Sequence, residues 1–398
     1  MRARLLLAFT LLISSAGIAH ADEAEFSQCL VGLQQQARQA GVADWLVDEV
    51  VPGMAYQARV IELDRSQPEF VKSFGEYFSG RVNDRRVKRG RELYAEHQDF
   101  LKQLNNRYGV PGRYLVAFWG LETNFGGYLG NMPTLDSLAT LACDPRRSKF
   151  FSEQFVTALQ MVEKESLKPQ DLRGSWAGAM GHTQFMPTTY ARYAVDGDGD
   201  GRIDLWGSPR DALASGANFL RQLGWQPGSR WGREVRLPDN FDYARARLDN
   251  RRTLAEWVEM GVTRADGAAL PKLSMNASVL VPAGAEGPAF LVYDNFRVIM
   301  GWNRSEFYAL SVGHLADRVA GGGTLLRQPP EQAALSRTDV IALQTRLLER
   351  GYAAGAADGI FGSGTRRALR QFQEDAGLTA DGFPDQETLR RLKLAPGD

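Results

Sequence analysis

The sequence predicts a mostly helical α+β protein with a small β element and a separate three-helix module at its C-terminus. Three observations carry that expectation. Residues 25–103, 114–121, 150–165 and 211–223 lack strand alternation and follow helical spacing. β-Branched and aromatic residues cluster between Gly, Pro and Asn at 234–237, 278–281, 290–292 and 297–300, as in short antiparallel strands. The chain, at 398 residues, exceeds the usual size of one domain, and its composition shifts sharply at Ala320-Gly321-Gly322-Gly323-Thr324 and again at Gln328-Pro329-Pro330-Glu331.

Four segments follow. Residues 1–21 read as a secretory signal peptide: Arg2 and Arg4, an apolar run over 5–13, then small residues ending Ala19-His20-Ala21, with cleavage expected before Asp22. The apolar core is too short for a membrane span, which needs roughly 20 residues. No Cys follows the cleavage site, so neither a lipid nor a membrane anchor is expected, and export places the mature chain in the periplasm. Residues 22–319 form the main body, 320–336 a linker and 337–395 the terminal module. The module holds a weak repeat: Leu343-Gln344 precedes Asp358-Gly359, and Phe372-Gln373 precedes Asp381-Gly382. One half is too small to bury its own apolar face, so the two halves are expected to pack together.

Charge excludes some partners. Lys plus Arg and Asp plus Glu each number 47, which removes a global electrostatic reason to expect a nucleic acid. Losing Arg2 and Arg4 leaves the mature chain with two more acids than bases. Cys29 and Cys143 are the two cysteines; an oxidising compartment permits them to pair, and otherwise they serve as small buried thiols.

The most informative stretch is Phe118-Trp119-Gly120-Leu121-Glu122-Thr123-Asn124-Phe125-Gly126. On a helix ending near Asn124, Glu122 shares a face with Leu115, Phe118 and Trp119. A carboxyl on an apolar face loses solvation of its charged form and holds its proton to higher pH, as a general acid requires. An arbitrary Glu near a helix end is usually an ion-paired surface group. A second stretch argues otherwise: Ser175, then Gly178-Ala179-Met180-Gly181-His182-Thr183-Gln184-Phe185-Met186-Pro187. Its small residues let backbone approach a ligand, and Ser175 and Gln184 offer neutral hydrogen bonds suited to sugar amides and hydroxyls.

Together these motifs resemble the lytic murein transglycosylase B family, whose marks are Gly-x-Glu-Thr-Asn-x-Gly and Gly-Ala-Met-Gly-x-x-Gln-Phe-Met-Pro; the resemblance covers residues 25–315. It implies a lysozyme-like catalytic domain with a helical N-terminal lobe, Glu122 as acid and then base, and cleavage of the MurNAc–GlcNAc bond of peptidoglycan into 1,6-anhydro-MurNAc ends. It further implies that Ser175 and Gln184 position substrate and that Met180 forms groove wall. Tyr308, Asn303 and Tyr77 join the site on the same ground, His182 lines the groove, and Phe219 and Trp302 stand where relatives carry Tyr. Glycan strands are the expected partner; no organic cofactor is expected.

Asp196-Gly197-Asp198-Gly199-Asp200-Gly201-Arg202-Ile203-Asp204 reproduces the first nine positions of an EF-hand loop, with its turn Gly at the sixth. Gly207 stands where the bidentate Glu belongs, so Asp211 is the expected closing ligand of a structural Ca²⁺. Residues 337–392 resemble the peptidoglycan-binding domain common on wall hydrolases. The rivals are a hydrolytic muramidase, which in the usual scheme uses a second carboxylate, and an inert wall-binding protein.

Overall fold

The computed structural model describes residues 16–65, 72–331 and 334–394. The first fifteen residues of the expected signal peptide, and residues 332–333 of the expected linker, lie outside the described residues. Along the chain run α1 (Ala16–Gln39), α2 (Ala58–Arg65), α3 (Phe74–Arg81), α4 (Asp84–Glu96), α5 (Gln98–Tyr108) and α6 (Gly112–Thr123). Then come β1 (Met132–Pro133), α7 (Thr134–Cys143), α8 (Ser148–Lys164), β2 (Arg173–Gly174), α9 (Pro187–Tyr193) and α10 (Pro209–Gln222). β3 (Gly232–Arg236), β4 (Arg252–Thr253), α11 (Leu254–Glu259), β5 (Thr263–Arg264), β6 (Asn276–Leu280) and β7 (Ala289–Val292) form the β region with its one helix. α12 (Asp294–Trp302), α13 (Glu306–Val319), α14 (Arg337–Glu349), α15 (Ser363–Asp375) and α16 (Gln386–Leu392) complete the chain. Among the described residues no helix is long and apolar enough to cross a membrane.

Two compact units emerge, one from residues up to Arg65 with Leu129–Arg192, the other from Ser66–Tyr128 with Tyr193–Asp398. In the first, α7 packs on α8 and α1. A Cys29–Cys143 disulfide ties α1 to α7, so the cysteines pair. Asp64, at the end of α2 and only 3% exposed, is neutralised by Arg146 and Arg147. A buried carboxylate without such partners would carry a large desolvation cost.

In the second unit α6 is buried along most of its length, packed on α13, α4, α5 and α10. The sheet runs β4-β6-β7-β3-β5, all antiparallel. Residues 297–300, expected as a strand, lie instead in α12. Their Val and Ile satisfy a local strand pattern, but Phe296 and Ile299 recur three apart on the buried face. The side chain of Asn295, wholly buried in the first turn, bonds Gln226 and Ser229 backbone and fixes the helix in place. The segment expected as a linker is also partly structured: Leu325 is buried in the core, and the amides of Leu326 and Arg327 donate to Glu234 at 2.8 and 2.7 Å.

The terminal module is three helices, and its repeat has a physical cause. Buried Gln344 donates to Asp358, Ile360 O and Thr365 and accepts from Gly359 N; buried Gln373 donates to Asp381, Phe383 O and Thr388 and accepts from Gly382 N. Each Gln thus satisfies one Asp-Gly turn and the start of the next helix, as buried polar groups require. The module docks on the β region: Ala285 N donates to Asp381 at 2.7 Å.

Candidate active site

Glu122 sits one residue before the end of α6, and the residues around it explain why the helix stops there. Asn124 and Phe125 both adopt left-handed backbone, φ 51° and 61°, which Asn tolerates and Phe does not readily adopt. Gly120 makes the turn possible: a Cβ there would meet the Phe125 ring at 2.7 Å, so the ring folds back over the helix. The Thr123 hydroxyl accepts from Gly126 N at 3.0 Å and its carbonyl from Tyr128 N at 3.0 Å, which closes the reversal. The Gly-x-Glu-Thr-Asn-x-Gly pattern is therefore a device for ending a buried helix one residue after a carboxyl, leaving that carboxyl half-buried.

The Tyr308 hydroxyl donates a short hydrogen bond to Glu122 Oε1 from α13. Burial, and then the nearby Glu122 charge, push the Tyr308 phenol well above 10, so it stays protonated and acts as donor. Aromatic rings pack around it, with Phe118 buried beneath them. Phe118, one turn before Glu122, stacks on Trp302 at 4.3 Å, and Trp302 reaches Phe219 at 5.3 Å, which meets Tyr193 at 4.8 Å. Tyr77 is buried, with Phe307 at 6.0 Å and Arg81 over its ring at 5.4 Å. Arg81 also donates to Leu121 O at 3.5 Å. Asn303 lies at the end of α12, its Oδ1 accepting from Ser305 N at 3.1 Å, and it lines a cleft with Phe307. Sequence pattern marks Tyr308 as an aromatic of the site but not its bond to Glu122. It misses Arg81 and Tyr193 altogether, because no spacing in the chain relates them to α6.

The second motif lies in the first unit. Met180 and Phe185 exchange backbone hydrogen bonds at 2.8 and 3.0 Å, so residues 180–185 form a tight loop. Gly178 approaches Leu138 so closely, at φ 82°, that a Cβ would lie 2.4 Å from it. Three expectations change here. Met180 is fully buried, drawn inward by its pairing with Gly174 and Phe185, so it is interior packing and not groove wall. Ser175 Oγ accepts from Ala179 N at 3.0 Å and braces the turn. Gln184, held at φ 49°, spends its Nε2 on Leu129 O at 3.1 Å and Gly181 O at 3.0 Å. What it offers a ligand is therefore the acceptor Oε1. His182 is buried to 8% exposure.

In the acidic loop, carboxylate oxygens of Asp196, Asp198 and Asp211 lie within 4.8 Å of one another. Asp211 is 1% exposed and burial raises its pKa, although it accepts from Gly197 N at 2.8 Å and Asp204 N at 2.7 Å. Backbone amides of Gly201 and Gly199 hold Asp196 below the usual carboxylate range. An all-oxygen set with a buried carboxylate fits a hard cation. Asp200 and Asp204 stand apart from this set; their carboxylates accept from the amides of Arg202, and of Trp206 and Gly207. Arg202, also expected in the ligand set, brings no carboxylate, and its backbone N–H donates to Asp200 at 2.8 Å.

Comparison with known families places this geometry. The transglycosylase SLT domain matches residues 25–317, and a peptidoglycan binding domain matches residues 336–392. Membrane-bound lytic murein transglycosylase B of Escherichia coli is 34% identical over 240 residues, 59% of this chain and 64% of that protein. The match thus spans less than two thirds of that relative's length. SltB3 from Pseudomonas aeruginosa, solved in complex with NAG-anhNAM-pentapeptide, is 45% identical with TM-score 0.88, over 92% of this chain and 99% of that one. The Escherichia coli lytic transglycosylase SLT35, solved in complex with calcium, is 29% identical with TM-score 0.64, over 74% of this chain and 92% of that one.

Proposed function

The chain belongs to the transglycosylase SLT domain family, and from that premise we propose that it is a lytic transglycosylase of peptidoglycan. It breaks the MurNAc–GlcNAc bond without water and leaves 1,6-anhydro-MurNAc ends. The observation that carries the reading is the contact between Glu122 and Tyr308: a single half-buried carboxyl at a helix end, held by a phenol that donates to it. Glu122 protonates the leaving glycosidic oxygen. The acetamido group of MurNAc stabilises the sugar cation, the work that a second carboxylate does in the usual hydrolytic scheme. The ionised Glu122, kept in place by Tyr308, then accepts the proton of the MurNAc 6-hydroxyl as that oxygen attacks its own anomeric carbon.

Trp302, Phe219 and Tyr193, partly exposed and backed by the buried Phe118, supply apolar ring faces against which pyranose C–H groups stack. Phe219 brings no hydroxyl and acts through ring surface; Trp302 brings ring surface and an indole N–H donor. Gln184 positions substrate as an acceptor, through Oε1, for a sugar amide N–H or hydroxyl. That SltB3 was solved with NAG-anhNAM-pentapeptide and with NAG-NAM-pentapeptide supports the same substrate class here. Asp196, Asp198 and Asp211 are the residues that would hold Ca²⁺; bound there, it would neutralise the carboxylates and fix the loop leading into α10, which carries Phe219. Residues 1–21 direct the chain to the periplasm, where its substrate lies. Glu122→Gln tests the assignment: the variant is expected to fold and bind purified sacculi yet release no soluble fragments, because an amide keeps the shape but not the exchangeable proton. Turnover above one hundredth of the wild-type rate would move the acid elsewhere.

A further inference from the structure

α15 carries Arg366, Arg367 and Arg370 close to its start. Arg366 and Arg370 are four residues apart and share a helix face, where like charges repel. All three line a cleft of about 500 Å³ between the terminal module and the β region of the same unit. Arg247 enters from the opposite wall, paired with Asp249 at 3.1 Å. Arg366 lies over the Phe361 ring at 5.6 Å. Among the described residues none of the three α15 arginines forms an ion pair within 4 Å. Three acids also line the cleft: Asp249 pairs with Arg247, Glu306 stands on α13, and Asp381 accepts from Ala285 N, Phe383 N and Gln373. Burial, and then repulsion from Arg247, Arg366 and Arg367, lower the pKa of Arg370. These guanidiniums repel one another in a cavity and keep donors unspent, an arrangement that an anion with planar oxygens relieves.

A second cavity of about 510 Å³ shares Pro282, Glu306, Phe361, Arg366 and Phe383 with the first, and extends to Asn303 and Phe307. Phe307 precedes Tyr308, the residue that holds Glu122. The two cavities adjoin along those shared residues. N-acetylated sugars carry no charge that such a cluster would attract, whereas the stem peptides on MurNAc carry free carboxylates.

We propose that this cleft docks the carboxylates of a peptidoglycan stem peptide, so that the terminal module takes part in substrate selection. The proposal rests on the reading of peptidoglycan as substrate. It is tested by calorimetry on the full chain carrying Glu122→Gln, which spares the probes. The probes are a disaccharide-pentapeptide with free carboxylates, the same compound with those carboxylates amidated, and the peptide-free disaccharide. The free-carboxylate probe is expected to bind at least tenfold more tightly than the amidated one, with the margin shrinking as salt rises. Adding Arg366→Gln and Arg370→Gln should erase that margin. Should the double variant not fold, Arg367→Gln, at an exposed position, is expected to cut the margin by threefold or more. Equal affinity for the free and amidated probes, with the peptide-free disaccharide still bound, overturns this proposal and leaves the glycan reading standing. An undiminished margin in the arginine variants overturns it as well. Failure of all three probes to bind refutes the glycan reading and this proposal with it.

Discussion

The Tyr308 hydroxyl is buried and held protonated, so the hydrogen bond it gives Glu122 strengthens as that carboxyl ionises. On the proposed mechanism Glu122 ionises when the leaving group departs, which makes the bond one that matters to the reaction as well as to position. Tyr308→Phe is expected to lower kcat about ten- to hundredfold, the effect of losing roughly 1.5–3 kcal/mol from a hydrogen bond to a charged group. Steady-state kinetics on a purified glycan oligomer checks this, and an unchanged kcat would reduce Tyr308 to packing. Glu122 itself was legible in the chain, because helical spacing puts it on a face with Phe118 and Trp119 and the following Asn and Gly announce the helix end. Its partner was not, since the two residues are 186 positions apart and only tertiary packing of α13 on α6 joins them. Gln184 shows the opposite limit: residue type correctly suggests a neutral polar group, but only the loop geometry reveals that its amide protons are used and its oxygen is what remains.

Turns and caps govern what each element contributes. The helices of the second unit were readable from periodicity, whereas α12 was misread because four consecutive residues, Arg297 to Met300, satisfy a strand pattern that burial of Asn295 and Phe296 overrides. The module repeat was readable from Gln and Asp-Gly at matching positions, and the paired hydrogen-bond networks of Gln344 and Gln373 explain why those residues recur. In the acidic loop the sequence supplied more ligand candidates than the structure gathers: Asp200 and Asp204 lie outside the cluster of Asp196, Asp198 and Asp211. Bound calcium at a hundred times its dissociation constant adds about 2.7 kcal/mol of stability. Chelation is therefore expected to lower Tm by several degrees, read by calorimetry with and without added calcium. Asp211→Asn should remove the difference. Identical melting curves for the wild-type chain in both conditions would refute the cation.

Across the whole molecule, two matched family segments share one chain, and the segment between them is more ordered than its Gly and Pro content suggests. Leu325 is buried in the core and residues 326 and 327 are pinned to Glu234, so a cut at Ala320 would damage the catalytic body. A chain ending at Glu331 keeps those contacts and loses the module. It is expected to cleave peptide-free glycan oligomers at close to the full rate while releasing fragments from intact sacculi several-fold more slowly, because tethering raises local substrate concentration. Equal loss on both substrates would make the module part of the catalytic fold. The pairing of Cys29 with Cys143 belongs to this scale too: composition permitted it, but only the approach of α1 to α7 realises it.

The central claim, that Glu122 drives an intramolecular ring closure and not hydrolysis, is tested most directly by digesting purified sacculi in ¹⁸O-labelled water and weighing the fragments. The mechanism requires ends one water lighter than reducing MurNAc, with no label incorporated. Reducing MurNAc ends as the main product, carrying ¹⁸O, would contradict it.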